Sequence, residues 1–440
     1  MSKKIISIVM IALVIMSLCA CGSNQTASNG VTTIKFWSGS GAAKSTLEKI
    51  VDDYNNGQGK EKGIRVELTI STDNMTNIDV AQQNNQLPDI CSPTYTQAKV
   101  FTKQGDFVPL ENFNGSEEFI KKMNSPAIEE RNMYDGKLYG VFTNVQTAGL
   151  IYNKDLFKSA GLVDENGEAK PPKTFEELRE YAKKLTDPSK SIYGYSFPYK
   201  FGTYYTINAP YATSIRKEVT DFDTLTVGPT EFADVFELMM QMRDDGSLFP
   251  GAESLDNDTS RAYFAEGKIG MMPAVSWDTG VLTTQFVAKC DWAVAPAPVK
   301  DENNKYPAWS AYAGLYFLTK TAMEHPDEAF DFYQYYYSDD IQKMLVEEVG
   351  ELPINEKLFE GVNVDVHAKQ FRALYDENYD TTIYPSYTIE GESLEDLYQK
   401  VWAGKITSEQ AEQTFAQNKQ TALRKAVEDG TVDVTPFQKK

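Results

Sequence analysis

The first twenty residues decide which part of the chain is left to fold. Lys3 and Lys4 form a short basic region, and an uncharged, mostly apolar run follows at residues 5–18. A run of this length is too short to span a bilayer, and small residues follow it directly, which is the layout of a secretory signal. We therefore expect residues 1–20 to be removed on export and the remaining chain to fold outside the cytoplasm.

The segment that ends this run reads Leu18-Cys19-Ala20-Cys21-Gly22 and resembles the lipobox of bacterial lipoproteins. In such proteins the final cysteine is acylated and becomes the first residue of the mature chain. The resemblance implies that Cys21 carries the lipid (palmitate included) and anchors the protein to the outer face of the bacterial cell membrane. The alternative is an ordinary cleaved signal with two incidental cysteines. Residues 21–30 are rich in Ser, Asn, Gln and Thr, and they are predicted to form a flexible tether.

Charge and length limit the partners and the number of domains expected for the remaining chain. The formal net charge is −20, and it becomes about −22 once the two lysines leave with the signal. No basic run offsets this acidity, so nucleic acid is not expected as a partner. The 420 residues after the signal exceed what one hydrophobic core usually supports, so we expect two domains. No later stretch is long and apolar enough to predict a membrane-spanning helix.

Few residues are suited to metal binding or catalysis. Cys91 and Cys290 are too sparse for a disulfide framework or a CxxC metal site, so we expect two isolated thiols, with a single disulfide as the alternative. His325 and His367 have no second His or Cys at ligand spacing, which disfavours a zinc site or a His-based triad. The turn at residues 39–41 lacks the full glycine pattern of a dinucleotide or phosphate loop. We therefore predict no cofactor, no metal and no His- or metal-based catalysis.

The periodicity of apolar residues predicts an α/β fold. Residues 31–37 are β-rich, and residues 64–70 alternate apolar and polar side chains, as a half-buried strand does. Between them a helix is predicted to present Leu47, Ile50, Val51 and Tyr54 on one face. A strand–helix–strand unit of this kind builds parallel sheets. Later helices are predicted to start at a capping box of Thr174 and Glu177, at Pro326, at Ser393 and at Thr407.

The chain is also rich in aromatic residues, with 25 Tyr, 23 Phe and 5 Trp. A sugar has apolar C–H faces that stack on flat rings and hydroxyl edges that need polar partners. Most of these rings must form the core, but some lie at predicted strand ends or turns. These are Trp37, Tyr95, Tyr204, Tyr205, Trp277, Trp309, Tyr312 and Tyr384.

A series of short motifs, in order between about residues 31 and 355, resembles extracellular solute-binding proteins of the maltose-binding type. The motifs are Leu87-Pro-Asp-Ile90, Tyr134-Asp-Gly-Lys-Leu-Tyr-Gly140, Leu150-Ile-Tyr-Asn-Lys-Asp155, Leu156-Phe-Lys-Ser-Ala-Gly-Leu162, Thr174-Phe-Glu-Glu-Leu178, Phe264-Ala-Glu-Gly-Lys-Ile-Gly-Met271, Trp292-Ala-Val-Ala-Pro-Ala-Pro298, His325-Pro-Asp-Glu-Ala-Phe330 and Gly350-Glu-Leu-Pro353. The resemblance rests on the order and spacing of the motifs.

This resemblance implies a two-lobed fold of the type II periplasmic-binding-protein kind, with discontinuous lobes and a central ligand cleft. Lobe 1 would comprise residues 31–144 and 295–343, and lobe 2 residues 148–290 and 351–440. The chain would cross between them near Asn144 to Ala148, Cys290 to Ala295 and Lys343 to Glu351. Such a protein is expected to be a monomer that binds a mono- or oligosaccharide, closes on it, and delivers it to the permease subunits of an ABC importer.

The resemblance also suggests binding residues. Trp37, Ser38 and Gly39 match the family loop that gives polar contacts, and Trp277 matches a stacking tryptophan. Gln146 stands where maltose-binding members carry an acidic sugar ligand. Pro93 replaces an expected aromatic residue, so Tyr95 is the remaining candidate in that segment. The other predicted cleft residues are Tyr204, Tyr205, Trp309, Tyr312 and Tyr384.

Three alternatives stay open at this point. A secreted glycoside hydrolase or lyase would need two facing carboxylates, and 63 acidic residues leave room for such a pair. The same fold could bind a non-sugar solute such as a polyamine, a peptide or a metal chelate. A sensor that serves a signalling receptor would have the same sequence features as an importer component.

Overall fold

The computed structural model of the protein describes residues 30–71, 73–199, 220–228, 232–303, 310–377 and 387–438. Strands and helices alternate through most of these ranges. The strands are β1 (Thr32–Ser38), β2 (Ile64–Ile70), β3 (Ile90–Cys91), β4 (Met133–Tyr134), β5 (Lys137–Leu138), β6 (Asn144–Asn153), β7 (Tyr193–Tyr195), β8 (Thr220–Asp221), β9 (Thr226–Val227), β10 (Ile269–Val275), β11 (Trp292–Ala295), β12 (Ser310–Ala313), β13 (Phe317–Leu318) and β14 (Leu352–Pro353).

The helices are amphipathic and cover the faces of the sheets. They are α1 (Lys44–Asn56), α2 (Gln58–Lys62), α3 (Asn74–Gln83), α4 (Tyr95–Lys103), α5 (Ser116–Met123), α6 (Lys154–Ser159), α7 (Phe175–Leu185), α8 (Phe232–Asp244), α9 (Asn257–Ala265), α10 (Asp278–Gly280), α11 (Pro326–Tyr336), α12 (Asp339–Val349), α13 (Val366–Glu377), α14 (Leu394–Trp402) and α15 (Ser408–Glu428). A π-helical turn, Val281–Gln285, continues α10.

The first sheet has the strand order β13-β3-β1-β2. Strand β1 is parallel to both β2 and β3, with Ile34 opposite Val66. Helix α1 joins β1 to β2 and buries the predicted face of Leu47, Ile50, Val51 and Tyr54. Helices α1, α11 and α12 pack on one face of this sheet and α3 and α4 on the other. The predicted parallel strand–helix–strand unit is therefore confirmed.

The second sheet is built around the long strand β6, in the order β11-β6-β10-β7. Residues 148–153 of β6 pair antiparallel with β10 and β11. One face of this sheet packs against α7, α8 and α14, and the other packs against α9 and α13. Both sheets are covered on both faces, and in the second sheet β10 and residues 148–152 of β6 are buried and apolar, as expected of strands covered on both sides.

The first four residues of β6 connect the two sheets. They pair with β12 and β14 instead of with β10 and β11. Strand β12 leads within a few residues to β13 of the first sheet, and β14 follows directly after α12. Gly314 makes the turn between β12 and β13 with φ of +74°, and a Cβ atom there would lie 2.0 Å from the Thr143 hydroxyl oxygen. Glycine is therefore required at this connection.

The segment after β11 stays with the second sheet. Ala295 and Ala297 are buried in the core beneath α7, and the Val299 amide donates to the Lys173 carbonyl at 2.9 Å. The chain therefore still packs on the second sheet beyond Ala295, where the sequence-based boundary of lobe 1 was drawn.

The predicted helix starts are confirmed. The Thr174 hydroxyl accepts from the Glu177 amide at 3.1 Å, and Pro326 is the first residue of α11. Ser393 and Thr407 each form a reciprocal capping box at α14 and α15. These signals act within one turn of helix, so they can be read without knowledge of the tertiary structure.

The cysteines and histidines lie in structural positions. Cys91 is buried and Cys290 half-buried, and both are free thiols, as predicted. His367 stacks on the Trp292 ring with centroids 3.5 Å apart, and its ring nitrogens lie 3.0 Å from Asp365 and 3.1 Å from the Trp292 carbonyl. Within the described ranges no group of three His, Cys, Asp or Glu residues is arranged to hold a metal ion. None of the helices seen there is long and apolar enough to cross a membrane.

Candidate functional site

Trp277 lies directly beyond the end of β10, at the junction of the two sheets. Its side chain is only half-buried, although every residue of β10 is buried. The preceding residue ties it to β6, because the Ser276 amide donates to the Thr147 carbonyl at 2.9 Å and the Thr147 amide donates to the Ser276 hydroxyl at 3.3 Å. A partly exposed indole on a fixed backbone is suited to stacking against a ligand ring.

Gln146 precedes Thr147 on β6, so the chain places it beside the Trp277 turn. It is half-buried and lies opposite Ala311 of β12. The Ser310 hydroxyl donates to the Thr147 hydroxyl at 3.0 Å and joins β12 to the same point. Gln146 therefore offers an uncharged donor and acceptor on a rigid three-strand support.

Three of the predicted aromatic residues come together from three different elements. Trp37, Tyr95 and Tyr312 are all half-buried and pack against one cluster that includes Phe142 and Phe317. The Tyr95 hydroxyl donates to the Tyr312 carbonyl at 3.2 Å. The structure thus groups rings from the end of β1, the start of α4 and β12, and it joins Tyr95 to Tyr312 across 217 residues of the chain.

Arg131 adds a positive charge to this aromatic group. Its guanidinium lies 4.5 Å from the centroid of the Tyr95 ring, within the range of a cation–π contact. The contact orients Tyr95 and supplies hydrogen-bond donors at this end of the aromatic cluster.

Ser38 and Gly39 differ in their surroundings. Ser38 is completely buried, and its hydroxyl shares a hydrogen bond of 2.8 Å with the Tyr316 hydroxyl while accepting from the Ser40 amide at 3.1 Å. Gly39 is exposed in the turn that follows. The Ser38 side chain therefore shapes the turn from inside the first sheet, and the exposed backbone at Gly39 is the part that faces solvent.

One hydrogen bond joins this turn to the helix beyond Trp277. The side-chain amide of Gln285 donates to the Gly41 carbonyl at 2.5 Å, although both groups lie near the surface. In the same region Gly280 approaches the end of α12 so closely that a Cβ atom would lie 2.7 Å from the Val349 carbonyl oxygen. The elements after β1 and after β10 are therefore in direct contact.

Asn144 and Glu351 form a buried polar pair where the two sheets join. The Asn144 side-chain amide donates to the Glu351 carboxylate at 2.6 Å. Burial raises the pKa of Glu351 to about 7, and the Asn144 hydrogen bond only partly opposes this effect. Glu351 belongs to the motif Gly350-Glu-Leu-Pro353, but no local pattern distinguishes it, because only burial makes this carboxyl unusual.

Several predicted residues lie outside the described ranges. They are Cys21, Tyr204, Tyr205, Trp309 and Tyr384. The structure brings together Trp37, Tyr95 and Tyr312, and it places Gln146 one residue from Thr147, to which the turn before Trp277 is bonded.

Comparisons with known proteins agree with this architecture. A sequence model of bacterial extracellular solute-binding proteins matches residues 49–372. The maltotriose-binding protein of Pyrococcus abyssi is 25% identical over 288 residues, which are 63% of this chain and 57% of that protein. The sn-glycerol-3-phosphate-binding periplasmic protein of Brucella melitensis is 23% identical over 75% of this chain and 76% of its own. The chain thus spans somewhat over half the length of the first curated relatives it matches.

A solved structure shows the same fold. The maltose/maltodextrin-binding domain of Bdellovibrio bacteriovorus, bound to maltotriose, superposes with a TM-score of 0.67 at 22% identity, covering 90% of this chain and 100% of that domain. The predicted α/β, two-lobed class is therefore confirmed.

Proposed function

Because the chain belongs to the family of bacterial extracellular solute-binding proteins, we propose that it binds a mono- or oligosaccharide and delivers it to the permease of an ABC importer. The observation that carries this proposal is the half-buried Trp277 at the junction of the two sheets, in a turn bonded to Thr147, the neighbour of the half-buried Gln146. A flat ring and an uncharged amide are the two groups that a sugar needs, a stacking face and a hydroxyl partner.

Isothermal titration against a panel of mono- and oligosaccharides tests the proposal. The panel should also contain a polyamine, a short peptide and sn-glycerol-3-phosphate, which represent the other solute classes. Binding of a saccharide with a Kd far below those of the other solutes is the expected result. A panel in which only a non-sugar solute binds would overturn the carbohydrate assignment and leave the family unaffected.

We propose that binding closes two lobes, residues 31–144 with 295–343 and residues 148–290 with 351–440. The pairing of β6 with β12 and β14 supports a hinge at the start of β6 and at Glu351. The packing of residues 295–299 on the second sheet favours assigning these residues to the second lobe, so that the middle crossing lies beyond Val299. Contacts that a ligand makes with both lobes are available only in the closed form, so they drive closure.

Replacement of Gln285 by alanine is expected to raise Kd about fivefold, since one hydrogen bond across the cleft contributes about 1 kcal/mol to the closed form. Titration calorimetry measures the loss, and small-angle scattering of the loaded protein should show a less compact average shape. The matched control is Gln399→Ala, which removes the same kind of bond, to the Glu253 carbonyl, at a site away from the cleft. An unchanged Kd for Gln285→Ala would show that this contact does not contribute to closure.

We further propose that the mature protein is a monomer anchored through Cys21 to the outer face of the cell membrane. The basic and apolar leader and the Leu-Cys-Ala-Cys sequence support this location. Cys21→Ala is expected to move the protein from the membrane fraction to the medium or periplasm, whereas Cys19→Ala should leave it anchored. Equal membrane retention of the two variants would contradict lipidation at Cys21.

We propose that the protein performs no chemistry on its ligand, as a carrier that releases its solute unchanged. The competing function is that of a secreted glycoside hydrolase or lyase. Chromatography of a bound oligosaccharide after several hours with stoichiometric protein distinguishes the two. Recovery of shortened sugars would favour the enzyme.

A further inference from the structure

A buried ion pair lies beside Trp277. The Asp278 carboxylate accepts from Arg261 Nε at 2.7 Å and from Arg261 Nη2 at 2.5 Å. The Arg261 side chain is only 10% exposed and the Asp278 side chain 4%. A second carboxylate, Asp258, accepts from Arg261 Nη1 at 2.9 Å.

The second oxygen of Asp278 braces the turn that carries Trp277. It accepts from the Val275 amide at 2.8 Å. Because Val275 precedes Trp277 and Asp278 follows it, this hydrogen bond closes the backbone turn around Trp277. Ser276 is bonded to Thr147 of β6 in the same turn. The backbone around Trp277 is therefore held to α9, to β10 and to β6.

The ion pair and the indole line the same cavity. Asn257, Arg261, Trp277 and Asp278 line a single small cavity together with residues 272–275 of β10. If the pair separated, the Arg261 side chain would move towards solvent or bond to another acceptor. The indole would then have space to rotate into this cavity.

The stability of the fold alone does not account for such a pair. Two charges this deeply buried lose most of their hydration, and apolar residues of similar volume usually serve a core at least as well. A buried pair does give one orientation to the elements that it joins, because its hydrogen bonds are directional. Here the element joined to α9 is the turn that presents Trp277.

We propose that Arg261 and Asp278 are positioning residues, which hold the Trp277 indole in the orientation that stacks on a sugar ring. This inference rests on the proposed carbohydrate-binding function. The pair itself makes no contact with the ligand. Its contribution is preorganisation, because an indole already fixed in the free protein loses little freedom when the sugar binds.

A double-mutant cycle on ligand affinity tests the inference. Trp277→Ala, Asp278→Asn and the double variant are titrated with the saccharide that wild type binds best. Asparagine keeps an oxygen for the Val275 amide but removes the charge that holds Arg261. We expect Asp278→Asn to raise Kd about tenfold in wild type and less than twofold in the Trp277→Ala background.

The cycle distinguishes positioning from a merely structural role. If the pair positions the indole, Asp278→Asn lowers thermal stability similarly in both backgrounds but lowers affinity only when the indole is present. If the pair is merely structural, the change in affinity does not depend on the indole. The matched control is Asp245→Asn, which breaks the ion pair with Arg179 between α7 and the end of α8. This variant is expected to lower stability and leave Kd unchanged.

The possible outcomes separate this inference from the proposed function. Equal tenfold losses in both backgrounds, or no loss in either, would overturn the positioning role alone. Failure of wild type to bind any saccharide would overturn the proposed function and this inference with it. If Asp278→Asn does not fold, Arg261→Lys takes its place in the cycle, with a smaller loss of affinity that again disappears without Trp277.

Discussion

Replacement of Trp277 by alanine is expected to raise the Kd of the saccharide about 30- to 150-fold, a loss of about 2–3 kcal/mol in binding free energy. The indole is half-buried at the junction of the sheets, and the preceding residue, Ser276, fixes its backbone by bonds to Thr147. A loss of this size is typical of an aromatic residue at the centre of a binding site, because both the stacking contact and the excluded water are lost.

Two further variants serve as controls for this measurement. Trp277→Phe keeps a flat ring of smaller area and should recover most of the affinity. Trp402→Ala removes the same side chain from the end of α14, where the indole packs near Tyr398 and Arg243. This control is expected to lower stability and leave Kd unchanged. Full affinity of Trp277→Ala in titration calorimetry would exclude Trp277 from the site.

Replacement of Glu351 by glutamine is expected to stabilise the protein at pH 8 by about 2–3 kcal/mol and to leave its stability at pH 4.5 unchanged. The pKa of the buried Glu351 carboxyl is raised to about 7 from its ordinary value of 4.5, so folding favours the protonated form. Well below pH 4.5 the carboxyl is protonated in both states, and at pH 4.5 the folding penalty is still under about 0.5 kcal/mol. As the pH rises from 4.5 to 7 the unfolded chain loses this proton first, so the folded state becomes relatively less stable. Above about pH 7 the loss is complete and constant.

Glutamine removes the charge and keeps an oxygen that can accept from Asn144, so the hydrogen bond at the junction of the sheets is retained. Denaturant unfolding of both proteins between pH 4.5 and 8 measures the difference. The matched control is Glu360→Gln, since Glu360 is exposed, and this variant should follow the wild-type profile. Parallel stability profiles for wild type and Glu351→Gln would contradict the burial of this charge.

Most of the secondary structure of the first sheet and of the later helices could be predicted from local patterns. The alternation in β2, the apolar face of α1 and the caps of α7, α14 and α15 depend on residues within one or two turns of each other. The boundary of lobe 1 at Ala295 depended on a resemblance instead. The packing of Val299 against the segment just before α7 is a contact between residues about 125 positions apart, which no local pattern reports.

The candidate site was predictable only in part. Trp277, Tyr95 and Tyr312 could be selected because aromatic rings stand at strand ends or turns in the sequence. Ser38 was selected as a polar ligand contact, and the structure shows its hydroxyl bonded to Tyr316, which lies 278 residues further along the chain. A polar side chain next to a binding loop can point into the core or towards the ligand, and the register of the strand determines its direction.

Local signals were sufficient for the α/β class and the helix starts, because each depends on residue types at short spacing. Long-range packing alone determined the contacts that give this site its shape. It brings Arg261 to Asp278, Gln285 to Gly41 and Asn144 to Glu351. It also raises the pKa of Glu351, since the energy of a charge depends on the atoms that replace water around it, and those atoms come from distant parts of the chain.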